Sequence, residues 1–253
     1  MSNSSLINYT KISPNKTSPR NHKIDTITIH CVVGQLTAKE ILNLSNFVNY
    51  DANRGSSCNY AVGRDGSIGL CVEEKDRSWC SSSRSNDHRA ITIEVASDTK
   101  HPYRVNEKAY KALIKLIVDI CKRNKIKELK WKADKSLIGQ TDKQNMTVHR
   151  WFANKTCPGE YLYERHGQIA KEVNKQLNPP TDATDDASYR VEVNITNLNI
   201  RKGPGTNYQT TGKFTGKGVF TIIEESKGKG STKGWGKLKS GAGWISLDFT
   251  KKI

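Results

Sequence analysis

The sequence predicts a mixed α/β domain, a β-sheet flanked by helices, followed by a small all-β barrel. Three observations carry this. Apolar and polar residues alternate in "DTITIHCVV" and "AITIEVASD", the period of a strand. Apolar residues recur at helical spacing over 107–124 and 160–177. Beyond "QLNPPTDATDDASYR" at 176–190, only short β-runs and glycine turns remain.

In the first strand Ile27 and Ile29 face one way while Thr26, Thr28 and His30 face the other, so the strand is expected to be half-buried. "CNYAVGRDGSI" reads as a strand entering an Arg-Asp-Gly turn at 64–66. In "AITIEVASD", Ile91, Ile93 and Val95 form the apolar face, with Thr92 and Glu94 opposite. Each of these two alternating strands therefore lifts one ionisable residue off the core side. Asn106 is a plausible N-cap for a helix carrying Ala109, Leu113, Leu116, Ile117 and Ile120 on one stripe. A second helix runs through Leu162, Ile169, Val173 and Leu177, with Pro158 near its start, where a missing N–H does no harm. Strands that alternate with helices make a layered α/β structure. The residues after 188 hold no helical period, and their Gly-Pro-Gly, Thr-Gly and Gly-Lys-Gly turns predict an antiparallel barrel or sandwich. The expected division is a domain at 1–177, a linker at 178–188 and a small domain at 189–253.

Forty-one lysines and arginines against 25 aspartates and glutamates give a net charge of +16. Both parts share the bias, with a surplus of five positive charges over 181–253 and of eleven over 1–180. Such a surface draws polyanions, whether nucleic acid, an anionic membrane or anionic wall polymers, and also simply keeps a protein soluble. The first twenty residues contain neither the apolar stretch of a signal peptide nor a membrane span, so the expectation is a soluble protein made in the cytoplasm. The six cysteines show no framework spacing and no CxxC, and are expected to be mostly free thiols.

In "MTVHRWFANKTCPGEYLY", His149 stands eight positions ahead of Cys157, Lys155 two before it, and Pro-Gly follows. Zinc accepts imidazole nitrogen and thiolate sulfur, and a hydrolytic site uses three protein ligands with one position open. His149 and Cys157 would supply two, and His30 is the best third because its strand parity aims it off the core. His22, His88, His101 and His166 remain open alternatives. Taken singly, each residue has a plainer reading: a packed histidine, a small buried thiol, a solvated Glu94, a surface Lys155.

The combination H-x7-C-P-G with Lys155 resembles the zinc-ligand loop of the type 2 N-acetylmuramoyl-L-alanine amidases, which share their fold with peptidoglycan recognition proteins and amidase-type phage lysozymes. "TITIHCVV" resembles that family's first ligand strand, "CNYAVGRDGSI" its central strand and turn, and "RAITIEVASD" its glutamate strand, so the likeness covers roughly 20–177. It implies the zinc amidase fold, a Zn2+ cofactor held by His30, His149 and Cys157, and hydrolysis of the amide between N-acetylmuramic acid and L-alanine in peptidoglycan. Zinc lowers the pKa of water from 15.7 to about 7 and polarises a carbonyl. Glu94 would be the general acid/base and Lys155 the cation beside the developing oxyanion. Asn59 and Trp79 would touch glycan or stem peptide, or else pack. One departure stands out: relatives carry a tyrosine near the metal where this chain has Cys58, unless Tyr60 is the counterpart. The C-terminal "LNIRKGPGTNYQTTGKFTGKGVFTIIEE" and "GWGKLKSGAGWISLDF" resemble a bacterial SH3-type domain, a module that anchors hydrolases to the wall. There Tyr208, Trp235 and Trp244 would be mainly core aromatics.

Together the resemblances imply an endolysin of a bacteriophage that accumulates in the host cytoplasm and acts on the cell wall after release. The alternative is a receptor on the same fold that binds peptidoglycan without cutting it; a retained Cys157 argues for the enzyme. A nucleic-acid partner is not expected, because paired CxxC ligands and Arg-rich or RNP-like motifs are absent. Oligomeric state is left open.

Overall fold

A computed structural model describes residues 2–178 and 188–253. They form two compact units, one within 1–178 and one within 179–253. Apart from its two end residues, the expected linker lies outside the described residues.

The first unit holds β1 (Tyr9–Thr10), β2 (Lys16–Thr17), β3 (Thr26–Cys31), α1 (Ala38–Ile41), α2 (Ser45–Val48), β4 (Tyr60–Val62), β5 (Ile68–Leu70), β6 (Arg77–Ser78), α3 (Arg84–Arg89), β7 (Ala90–Val95), α4 (Glu107–Arg123), β8 (Met146–Thr147) and α5 (Glu160–Leu177). Six strands make one mixed sheet in the order β1-β5-β4-β7-β3-β8; β4, β7, β3 and β8 run parallel, while β5 is antiparallel to β4. The Arg-Asp-Gly segment is the turn between β4 and β5, and Gly66 there takes φ +85°, a left-handed conformation that glycine adopts without steric penalty.

One face of the sheet packs on α4 and α5. Ile27, Ile29, Ile91, Ile93 and Val95 meet Leu113, Leu116, Ile117, Ile120, Leu162, Ile169 and Val173 in a single cluster. Asn106 caps α4 by accepting from Ala109 N–H at 3.0 Å. A smaller cluster on the α1–α2 side gathers Ala38, Ile41, Leu42, Phe47, Cys58, Ala61 and Cys71.

The expected half-buried β3 is instead buried on both faces along its whole length. Its polar face is roofed by α3, which satisfies Thr28 and, on the adjoining β8, Thr147. Asn86 donates to Thr28 Oγ1 at 3.0 Å and accepts from Thr147 Oγ1 at 2.9 Å, while the two threonine hydroxyls lie 2.7 Å apart. On β7, Thr92 and Ser78 hydroxyls lie 2.7 Å apart. Alternation thus marks an apolar layer on one side and a hydrogen-bonded layer on the other, a burial that polar groups tolerate only when paired.

The second unit contains β9 (Tyr189–Val193), β10 (Asn199–Arg201), β11 (Thr210–Phe214), β12 (Gly218–Ser226), β13 (Trp235–Leu238), β14 (Trp244–Ser246) and β15 (Thr250–Lys252), in the order β11-β10-β14-β13-β12-β9-β15 with every pairing antiparallel. Its own core comprises Val191, Val193, Leu198, Ile200, Ile222, Leu238, Ile245 and Leu247. Trp235 and Trp244 are buried, whereas Tyr208 is 44% exposed. Among the described residues no helix is long and apolar enough to cross a membrane.

Candidate active site

The parallel strands deliver the site at their carboxyl ends, where open α/β sheets usually place ligands. His30 is the fifth residue of β3, and its register partner on β7 is Glu94. On the other side of β3, β8 ends at Thr147, and two residues later His149 begins a short 3-10 turn over 149–151. Cys157 returns on the loop that follows. Arg150 holds that loop shut: its backbone N–H donates to Cys157 O at 3.1 Å, and its guanidinium donates to Thr156 O at 2.7 Å and to Glu160 at 3.1 Å.

The ligand atoms of His30, His149 and Cys157 all lie within 4.8 Å of one another. Cys157 Sγ is 3.3 Å from His30 Nδ1, and the two imidazole rings meet edge to face at 5.1 Å. His149 Nε2 is 2.9 Å from Ser82 Oγ, so Nδ1 is the ring nitrogen outside this contact. Burial pushes His30 well below its usual pKa, with the neighbouring His149 and His166 adding to the effect; His149 is lowered by burial and then by Lys155. Both rings are thereby kept neutral, the form in which imidazole coordinates a cation. The Cys157 thiol is pushed up by the hydrogen bond it shares with Cys31, and by burial.

Glu94 stands beside this group with Oε2 buried and, among the described residues, without a hydrogen-bond partner. Desolvation, followed by the nearby Cys31 and Cys71, raises its pKa to about 8, so the carboxyl carries a proton near neutrality. The residues open onto a cleft of about 720 Å³ whose lining includes Glu94, His149, Lys155, Trp79, Cys80 and Ser82. Arg54, Arg77 and Arg84 also reach it, against Asp87 and Glu94 as the acids. Lys155 is exposed at the rim. Trp79 is half-buried, donating from Nε1 to Thr17 Oγ1 at 3.1 Å with its ring 6.3 Å from that of Tyr50.

Of the residues predicted from sequence, the fold brings together His30, His149, Cys157, Glu94, Lys155 and Trp79. Asn59 it does not. The side chain is fully buried away from the cleft, accepting from Thr92 N–H at 3.1 Å and donating to Val72 O at 3.2 Å, so it braces β4 against β7 and offers no surface to a substrate. Cys58 is likewise sealed in the smaller cluster. Tyr60 does not replace the missing tyrosine, because its hydroxyl faces the opposite layer, donating to Glu74 at 2.7 Å and accepting from Ser4 N–H at 2.9 Å. His166 is buried in α5, its Nδ1 2.6 Å from Leu162 O.

Sequence reasoning missed Cys80 and Ser82. They sit in a serine-rich loop with no periodicity, and only the fold reveals that Asp87 anchors it by accepting from Cys80 N–H at 2.9 Å and Ser81 N–H at 3.2 Å. Ser82 itself adopts φ +61°.

The profile of the N-acetylmuramoyl-L-alanine amidase family matches residues 20–160. Solved structures similar to this chain include the endolysin N-acetylmuramoyl-L-alanine amidase LysCS of Clostridium intestinale URNW (16% identity over 68% of this chain and 99% of that one, TM-score 0.43). Others are a selenomethionine derivative of AmpD (17%, 66% and 96%, TM-score 0.48) and the catalytic domain of XlyA (16%, 66% and 99%, TM-score 0.44). No curated protein matches.

Proposed function

The chain belongs to the N-acetylmuramoyl-L-alanine amidase family, and from that premise we propose that it is an endolysin that hydrolyses the amide between N-acetylmuramic acid and L-alanine with a zinc ion held by His30, His149 and Cys157. The observation that carries the reading is the convergence of two neutral imidazoles and a thiol, from three separate segments, with ligand atoms within 4.8 Å. The set fits zinc: a tetrahedral ion with N and S ligands keeps its donors about 3.5 Å apart, close to the 3.3 Å between Cys157 and His30. When bound, the ion would supply Lewis acidity, lowering the pKa of water to about 7 and polarising a carbonyl.

The protein's own groups do the rest. Glu94 stands beside His30 and would be the general acid/base, its ionised form taking a proton from the attacking water and its protonated form, favoured by a pKa of about 8, returning one to the departing amine. Lys155 brings an ammonium to the cleft rim where negative charge develops on the amide oxygen. Ser82 fixes the rotation of His149. Trp79 offers an aromatic wall, and Arg54, Arg77 and Arg84 suit carboxylates of the stem peptide.

The second unit, with its own core and all-antiparallel sheet, is assigned as an SH3-like wall-binding module joined by a linker at 178–188. Two weak sites on one chain raise apparent affinity through effective concentration, and the positive surface adds attraction to anionic wall polymers. Digestion of purified sacculi, followed by mass spectrometry with and without a chelator, tests the reading. Release of peptides with new L-alanine amino termini, suppressed by chelator and restored by zinc, supports it. New reducing ends without free L-alanine would overturn it.

A further inference from the structure

Cys80 and Glu94 are the cleft residues whose proximity the proposed catalysis leaves unexplained. Cys80 Sγ lies 4.0 Å from Glu94 Oε1. The donor atoms of Cys80, Glu94 and His30 are mutually within 4.8 Å, the same limit that the His30, His149 and Cys157 set satisfies. Among the described residues two buried polar atoms in this group have no hydrogen-bond partner, Glu94 Oε2 and His30 Nε2, and His30 is wholly buried. Unpaired buried polar atoms are rare in native folds and call for a ligand.

We infer that Cys80, Glu94 and His30 form a second position for a thiophilic divalent cation, sharing His30 with the catalytic set. The position stands on its own geometry; its consequence for turnover rests on the function proposed above. One sulfur, one imidazole and one carboxylate make a borderline-soft donor set, which selects Zn2+, Co2+ or Cd2+ over Mg2+ and Ca2+. A tetrahedral ion would hold the sulfur and the carboxylate oxygen about 3.5 Å apart, so closing the present gap takes a side-chain rotation of roughly half an ångström.

The scaffold is prebuilt. Cys80 is fixed through its backbone N–H by Asp87, and Glu94 by its place on β7 between β3 and β4. Cys80 lines the cleft, so a cation has a path from solvent. Because the catalytic pair Cys157 and His30 is already closed to 3.3 Å while Cys80 and Glu94 stand at 4.0 Å, the second position fills after the first. Filling it turns the acid/base carboxylate into a ligand. Excess zinc therefore inhibits the enzyme that stoichiometric zinc activates.

The test is a cobalt(II) titration of the metal-stripped full chain carrying Cys157→Ser, which removes the only sulfur of the catalytic set. A thiolate-to-cobalt charge-transfer band is expected in this variant, weaker in C157S/E94Q and absent in C157S/C80S, with circular dichroism verifying that each remains folded. No band in C157S, or a band surviving in C157S/C80S, overturns the second position. Should C157S fail to fold, alkylation of Cys80 in the wild-type chain is followed by peptide mapping. Protection that sets in only at zinc concentrations above those restoring activity supports the inference, and unchanged alkylation overturns it. Loss of the catalytic reading would look different: no cobalt band in Cys80→Ser, which keeps Cys157.

Discussion

Replacing Ser82 is expected to move cation affinity and fold stability in different directions. Its hydroxyl, 2.9 Å from His149 Nε2, is the polar contact that orients that ring. Ser82→Ala and Ser82→Gly both remove it, and loss of such an outer partner typically lowers metal affinity about 10–100-fold, or about 1.4–2.7 kcal/mol. The backbone tells the two variants apart. At φ +61° an L-residue is in the left-handed region, where its Cβ costs roughly 1–2 kcal/mol. Glycine relieves that strain but gains unfolded-state freedom worth roughly 0.5–1 kcal/mol. In chelator, S82G should therefore be about 0.5–1 kcal/mol more stable than S82A by urea denaturation, while competition with a chromophoric chelator shows both binding zinc equally weakly. Wild-type affinity in either variant would refute the orienting role. An S82G no more stable than S82A would refute the strain.

Glu94→Gln should lower kcat about 10²–10⁴-fold on soluble muropeptides while zinc content, measured by plasma mass spectrometry, stays at the wild-type level. Cys157→Ser should lose activity and the zinc of the catalytic set. His166, fully buried and pushed by desolvation to about 4, resists a proton that the unfolded chain accepts near 6.5. Stability present above pH 6.5 is thus lost as pH falls towards 4, by up to about 3 kcal/mol, and the slope of urea midpoints against pH over that window should be shallower in His166→Leu, with His30 and His149 supplying the slope that remains. A chain ending at residue 178 should keep its turnover on soluble muropeptides but sediment less with purified walls; equal sedimentation would remove the targeting role of the second unit.

The site's legibility in the sequence follows from which signals are periodic. His30 and Glu94 are visible because each is the ionisable residue on the polar side of a two-residue alternation, and parallel in-register pairing sets them side by side. His149 and Cys157 were visible as a spaced motif. Asn59 misled because an amide in a strand looks the same whether it faces a cleft or braces the neighbouring strand; only its bonds to Thr92 and Val72 decide. The half-buried reading of β3 failed for a related reason. Threonine and asparagine are polar in composition, but the Thr28, Thr147 and Asn86 network pairs them internally, so the sheet face they occupy is interior.

That roof is what makes the chemistry local. A face lined only with threonines and asparagine could have stayed wet, and Glu94 would then titrate as an ordinary carboxyl. Burial at the strand ends lifts Glu94 to about 8, and the 80–82 loop that borders it is anchored to Asp87. The same loop presents Cys80 and Ser82 to the two sides of the site, Cys80 towards Glu94 and Ser82 towards His149. A segment without any sequence period therefore controls both the proton inventory and the ring orientation, which is why altering Ser82, at a position no motif marks, should perturb zinc binding nearly as much as altering a residue beside the metal.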